Sequence, residues 1–426
     1  MAAATPIDPR TLPVTSELAT RLRDHVEFLA SPALRGRQPG TPENRKAADY
    51  IAAHFRDAGL DSLPSLRGYA QALPRNLGDN LFGLRRAQSS RARSAAGASL
   101  DARWILIGAH FDHLGDNYLG ADDNASAVAI VLELARRLPA LPNHHVLFAA
   151  FNAEEPPYIR TPEMGSQYFV SGLPPEIGSP ANFQAVIIMD LMGGAHWAPL
   201  REVLFAAGAE ESPGLYRRLK EAAARETLDV KRETKAGELP AFRLTPHPGD
   251  PLIWGGQRVP LTVLPVGMHL VEEIPLIGRV SFSDYDAFRN AGVPFLFLSS
   301  GRTPRYHQPT DLPDTLHYER MAASVDWLAA LVQRVDEDEE PYRVEAGRVE
   351  FADEVASLRP LVALAASRDT MIPGTSFLSL WKLKRDQDWL AALDPDRATP
   401  QDVRRLERLS IRLQCLLADF PGCFLF

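Results

Sequence analysis

The chain has 426 residues, 45% of them hydrophobic and 23% charged, with a formal net charge of −8. That balance belongs to a globular chain with a sizeable core, not to a disordered or membrane protein, and the mild acidic excess with no basic, aromatic-interleaved face argues against nucleic acid as a partner. The length exceeds what one ordinary core serves, so a large domain of roughly 250–300 residues with an appendage is expected.

The first residues, MAAATPIDPRTLPVTS, lack a basic start followed by an apolar run, and no stretch approaches the length of a membrane span. A cytoplasmic location without membrane partners is therefore expected, or a periplasmic or secreted one if a leader has been removed. From Leu18 to Gly59 apolar residues recur at helical spacing in two blocks, LATRLRDHVEFLA and AADYIAAHFRDAG. They predict two helices joined by the loop SPALRGRQPGTPEN. The polar segment RRAQSSRARSAAGASLDAR reads as an exposed turn between strands. From residue 104 onward, short buried strands (WILIGAH, HHVLFAAF, QAVIIMD, EVLFAAG, VPFLFLS) alternate with amphipathic helices. This predicts an α/β fold, a three-layer αβα sandwich around a mixed, mostly parallel sheet. The helix after Asn124 carries Val128, Val131, Leu132, Ala135 and Leu138 on one face, and Asn124 or Ser126 is placed to cap it. Beyond residue 334 the acidic run VDEDEEP breaks the alternation, and blocks such as VEFADEVASLRPLVALAAS predict helices. The expected organisation is a tail over 1–17, the main domain over 18–334 and a helical C-terminal extension over 335–426, the last serving packing or oligomerisation.

Cys415 and Cys423 are the only cysteines and do not form a CxxC pair, so they supply neither a disulfide framework nor a thiolate metal site. Any metal must be held by His, Asp and Glu, and these cluster where strands end. WILIGAH closes on His110 with Asp112 two residues on, and the next loop supplies Asp122 and Asp123. HHVLFAAFNA leads to Glu154 and Glu155, QAVIIMD ends at Asp190, and VPFLFLS leads to Tyr306 and His307. In a parallel sheet the C-terminal strand ends share one crevice, so these residues can converge. Zinc takes imidazole and carboxylate ligands when thiolates are absent, and two zincs need a bridging carboxylate. His110 and Asp190 suit one ion, Glu155 and His307 the other, and Asp122 or Asp123 the bridge. Glu154 is left over as a general base, Asp112 suits the second N–H of His110, and Tyr306 suits an oxyanion. One acidic residue at a strand end is usually a cap or loop residue; the conjunction of five is what points to a metal centre. His113, His144, His145, His196, His247, His269 and His317 lack a matching partner set and read as surface or capping groups. Trp197 and Trp254 read as packing residues. No GxSxG elbow appears, which argues against a serine hydrolase.

At these residues the chain resembles the co-catalytic di-zinc aminopeptidase family, whose relatives include bacterial leucyl aminopeptidases, glutamate carboxypeptidase II and the glutaminyl cyclases. GAHFDHLG, GADDNASAVAIVLELAR, FNAEE, MDLMGG, SDYDAF and YHQPTD stand in the family's order between Leu18 and Met321, and LRGRQPGT resembles its N-terminal loop. The resemblance implies two Zn2+ per chain held by His110, Asp122, Glu155, Asp190 and His307, with Asp122 as the bridge. It also implies a cis peptide between Asp122 and Asp123. Glu154 is implied as the base, and Asp284 of SDYDAF as a residue beside the ligands or the substrate. The implied activity is hydrolysis of N-terminal peptide bonds by a zinc-activated water, on peptides with a free N-terminus. Alternatives within the resemblance are a single-zinc glutaminyl cyclase, a carboxypeptidase and an inactive binding module. The segment PPYIRTPEM after Glu155 departs from the family's short connection and is expected to line the site.

Overall fold

Seven-residue runs of buried, largely branched side chains set the centre of the molecule. The computed structural model describes residue 14 and residues 16–89, 102–224, 261–274 and 278–420. Most of the expected N-terminal tail, the middle of the polar turn, His247, Trp254 and Cys423 lie outside the described residues.

Two helices open the chain, α1 (Glu17–Leu29) and α2 (Pro42–Asp57), capped by the side chains of Ser16 and Thr41. The strands β1 (Ala70–Ala72) and β2 (Asp79–Arg85) precede β3 (Trp104–His110), α3 (Ala127–Arg137) and β4 (His145–Phe151). Then come α4 (Gly165–Ser171), β5 (Phe183–Met189), β6 (Val203–Ala207) and α5 (Pro213–Ala224). After β7 (Thr262–Pro265) and α6 (Met268–Glu272), a small ribbon of β8 (Glu273–Ile274) and β9 (Gly278–Arg279) leads to α7 (Tyr285–Asn290) and β10 (Phe295–Ser299). The long helix α8 (Tyr318–Asp336) closes this part. The eight-stranded sheet has the order β1-β2-β4-β3-β5-β10-β6-β7. Its centre, β4-β3-β5-β10, is parallel throughout, whereas β2 and β6 join it antiparallel. The expected mixed, mostly parallel sandwich is therefore the observed architecture.

Period-two alternation sends each strand's side chains into two separate apolar layers. Ile105, Ile107 and Ala109 of β3 pack with α1, α2, α3 and α8 on one face. Trp104 and Leu106 face the other layer, with Phe169 of α4 and Phe288 of α7. The extension belongs to this second layer. Its helices α9 (Phe351–Ala366), α10 (Phe377–Ala392) and α11 (Pro400–Leu417) bury Leu361, Leu383 and Leu409 in the same cluster as the sheet residues Leu264 and Phe297. Helix α11 starts in a capping box between Thr399 and Asp402. Cys415 on it is disulfide-bonded, a pairing its sequence spacing did not suggest. Among the described residues no helix is long and apolar enough to cross a membrane.

One local expectation is corrected. Neither Asn124 nor Ser126 caps α3, which starts without a side-chain cap. Asn124 Nδ2 donates to the carbonyl of Met189 and Ser126 Oγ to that of Asp122, so both tie the preceding loop to its surroundings. The segment after Glu155 is anchored beside Ala153 and to the loop after β1. Tyr158 packs with Leu73, Leu77 and Ala153, and Glu163 pairs with Arg75 at 2.9 Å.

Candidate metal centre

The parallel strands β3, β4, β5 and β10 all end on one edge of the sheet, and the polar residues beyond them converge there. His110, the last residue of β3, is 1% exposed. Its Nε2 lies 3.3 Å from Asp123 Oδ1, 3.6 Å from Asp190 Oδ1 and 3.8 Å from Glu154 Oε2. The other oxygen of Asp123 lies 3.2 Å from His307 Nε2, which is also 3.1 Å from Glu155 Oε2. Asp123 thus turns one oxygen to each half of the cluster. Two groups of potential ligand atoms, His110 with Asp123 and Asp190, and His113 with Asp123 and Glu155, each gather within 4.8 Å.

The expectation that Asp122 is the shared ligand is corrected by this geometry. Asp122 points away from the histidines and accepts hydrogen bonds at Oδ1 from the backbone N–H groups of Gly193 and Gly194, at 2.7 and 2.9 Å. The contact is close enough that a Cβ on Gly194 would fall 2.2 Å from Asp122 Oδ2, so glycine is required there. The cis peptide also lies one bond later than expected, between Asp123 and Asn124.

His113 was not expected in the centre and is buried within it. Its Nδ1 sits 2.6 Å from Glu155 Oε1, which fixes that carboxylate while Glu155 Oε2 faces His307. A second unforeseen residue is Asp311, the last residue of YHQPTD. Its carboxylate accepts from the backbone N–H groups of Asp122 (2.9 Å) and Asp123 (3.1 Å), fastening the His307 loop to the aspartate loop. A third is Arg37 in the N-terminal loop, fully buried, whose guanidinium donates to the carbonyls of Leu29, Phe111, Leu119, Gly120 and Asp123.

The Asp112 carboxylate holds the two glutamates, and its backbone carbonyl is the nearer partner of the histidine. Its Oδ1 and Oδ2 accept from the backbone N–H groups of Glu154 (3.1 Å) and Glu155 (3.2 Å). His110 Nδ1 is 3.3 Å from the Asp112 carbonyl oxygen and 3.7 Å from its Oδ1. Tyr306 stacks on His307 with ring centroids 3.9 Å apart, and Arg302 lies over the Tyr306 ring at 4.8 Å from its centre. Asp284 is fully buried at the start of α7, and burial pushes its carboxyl up to about 7 against the pull of His110. Backbone strain concentrates around these positions. Ala153, Leu191 and His307 all have positive φ, next to Glu154, next to Asp190 and at a candidate ligand itself.

The electrostatics call for added positive charge. Burial drives the Glu154 carboxyl well above its ordinary range, opposed by His110. Burial alone would depress His110, but Glu154, Asp123 and Asp190 together hold it well above an ordinary histidine. Several buried atoms lack any hydrogen-bond partner, including His110 Nε2, His113 Nε2, Glu154 Oε1 and Asp190 Oδ1. Orphaned ligand atoms in a dry cluster of carboxylates and imidazoles are what a bound cation resolves. The nitrogen and oxygen donor set suits zinc.

The sequence model of peptidase family M28 matches residues 92–239 and 268–332, half of the chain. The chain belongs to peptidase family M28. This M28 peptidase is 28% identical over 244 residues to the uncharacterized protein YfbL of Escherichia coli, a match covering 54% of the chain and 67% of YfbL. Its fold is shared with the Bacillus subtilis zinc aminopeptidase BSAP at a TM-score of 0.51 and 14% identity, covering 81% of this chain and 98% of that one. LapB of Legionella pneumophila matches at 0.51 and 18% identity, over 75% and 72% of the two chains. Family and fold together make this chain a metal-dependent hydrolase of the peptidase type, with zinc as the implied metal.

Four further histidines have structural partners. His317 accepts from the backbone of Arg320 to cap α8, His144 meets Asp336 at 3.0 Å, and His145 Nδ1 accepts from the Ala87 N–H. His269 lies between Glu354 and Glu407 at 2.9 and 3.0 Å. Trp197 is buried, donates from Nε1 to the Thr370 carbonyl and lines an apolar pocket that borders Asp190 and Tyr306.

Proposed function

We propose that this M28 peptidase is an aminopeptidase that removes residues from the free N-terminus of peptides and holds two zinc ions. The observation that carries the reading is the split of the Asp123 carboxylate, one oxygen toward His110 and the other toward His307. His110 and Asp190 would hold one ion, Glu155 and His307 the other, and Asp123 both. When bound, such ions acidify water and polarise a carbonyl oxygen.

The residues of the chain supply the rest. Glu154 is not needed as a ligand, and its buried Oε1 has no partner, so it is free to take a proton from water and return it to the leaving amine. Asp112 positions it by holding the backbone on both sides of the Glu154–Glu155 bond. Tyr306, beside His307, is the donor for the oxygen that gains charge as the carbonyl is attacked. The substrate's α-ammonium group is matched by the acidic surroundings of Glu154 and Asp190, which is why a free N-terminus is required.

The test is Glu154→Gln measured for both metal content and hydrolysis of aminoacyl anilides. Zinc per chain should stay at two, while kcat falls by about 10²–10⁴. Near wild-type turnover of the variant would refute the assignment of the base. One zinc per chain together with cyclisation of N-terminal glutamine would replace the aminopeptidase reading with a cyclase.

A further inference from the structure

The apolar pocket beside the metal centre is shared between two parts of the chain. Asp190 and Tyr306 form its border with the centre, and Phe282 and Phe297 line it from the α/β domain. The α/β domain supplies most of the lining, and one further side comes from the C-terminal helices: Leu361 of α9, and Leu413 and Leu417 of α11. Two polar donors on α11 at the pocket are tied to the α/β domain. Ser410 Oγ donates to the Leu270 carbonyl at 2.7 Å, and Gln414 Nε2 donates to the same oxygen at 2.9 Å. The other side chains these helices offer the pocket, Leu358, Leu361, Leu413 and Leu417, are apolar. Arg302, another lining residue, lies 4.3 Å above the Phe282 ring and 4.8 Å above that of Tyr306, which sets a cation beside the pocket.

We infer that α9 and α11 of the C-terminal extension form the specificity wall of the enzyme and select substrates whose N-terminal side chain is large and apolar. This rests on the aminopeptidase reading, which puts the α-carbon of the first residue next to Asp190. From there a side chain has the pocket as its apolar outlet. A leucine or phenylalanine side chain reaches toward Leu361 and Leu413, an alanine leaves that wall uncovered, and a lysine or arginine would bring its charge into a carbon-lined space near Arg302. One methylene in such a pocket changes kcat/KM by roughly 10–200-fold. The extension therefore acts on substrate choice without contributing a residue to the metal centre.

The experiment uses the full-length, zinc-loaded enzyme with alanyl, leucyl, phenylalanyl and arginyl anilides. Two variants are compared, Leu413→Trp, which fills the pocket, and Leu361→Ala, which enlarges it. Binding of leucinol and alaninol is measured by calorimetry on the same samples, with zinc content and melting temperature checking that each variant is folded. The wild type should favour leucyl or phenylalanyl over alanyl substrate by about tenfold or more. Leu413→Trp should reduce the leucyl-to-alanyl ratio of kcat/KM, and the leucinol-to-alaninol ratio of affinities, by about tenfold. Leu361→Ala should move the preference toward the phenylalanyl substrate. Ratios unchanged in both variants, with zinc and melting temperature retained, would overturn the inference. Wild-type enzyme inactive on every anilide, yet binding leucinol in a manner that Leu413→Trp weakens, would sink the aminopeptidase reading while supporting the pocket.

Discussion

Adjacent aspartates with opposite duties give the sharpest check on the centre. Asp122 contributes one acceptor, Oδ1, to two buried N–H groups of Gly193 and Gly194, with Ser126 Oγ 3.3 Å away. Asparagine keeps an oxygen at that position, so Asp122→Asn should retain both backbone bonds and bind zinc as the wild type does. Alanine removes the acceptor and leaves two buried donors unpaired, at roughly 1–3 kcal/mol each, so Asp122→Ala should lower stability by about 2–6 kcal/mol. Asp123 behaves the other way. Its two oxygens face His110 and His307 separately, and Asp123→Ala withdraws a donor from both halves of the cluster. Zinc affinity should fall by at least about 100-fold, more than removal of a residue behind the ligands produces. Urea titration of the metal-free proteins measures the first effect, and zinc per chain after dialysis against a graded chelator measures the second. Loss of zinc in Asp122→Asn with retention in Asp123→Ala would show that the first aspartate is the shared ligand and that the geometry has been misread.

Removing His113 frees Glu155 Oε1 from its 2.6 Å partner, so His113→Ala should weaken zinc binding by about 10–100-fold while leaving the fold intact, checked by the same chelator titration. A pH effect is expected far from the centre, at Glu133 on α3. Burial raises its carboxyl, but His25, Arg136 and Arg21 outweigh that and hold it at about 2, below the ordinary 4.5. Its stabilising contribution is therefore complete above pH 4.5 and disappears as the pH falls toward 2. Glu133→Gln should cost on the order of 2 kcal/mol at neutral pH and should flatten the loss of stability between pH 5 and 2, read by denaturant melts across that range. A variant whose acid sensitivity matches the wild type would contradict the assignment.

Much of the centre could be read from the chain because strand ends carry it. β3, β4 and β5 announce themselves as unbroken apolar runs, and a polar residue at the end of such a run must stand at the sheet's edge, which brings His110, Glu154, Glu155 and Asp190 toward one crevice. The choice between Asp122 and Asp123 had no such signal. It is decided by backbone angles in the loop, φ −106° and ψ 90° at Asp123, and by N–H groups of Gly193 and Gly194 that arrive from seventy residues away. His113 reads as a lone histidine because its partner Glu155 is distant in sequence; the second histidine at the third place after His110, in HFDH, is the available hint. The extension's helices were visible from composition, but helical periodicity does not say which surface a helix covers, so its place over the second apolar layer was not accessible.

Arg37 carries an implication for how the protein is made. Its guanidinium joins the carbonyls of Leu29, Phe111, Leu119, Gly120 and Asp123, so the loop that carries Arg37 acts as a keystone for the loop that presents Asp123. A shortened gene product beginning after that loop would retain every ligand residue and lack the brace that aims the shared one. Competence of the centre thus depends on a stretch of chain that supplies no metal-binding side chain, and trimming from the front should abolish zinc uptake before it abolishes the sheet.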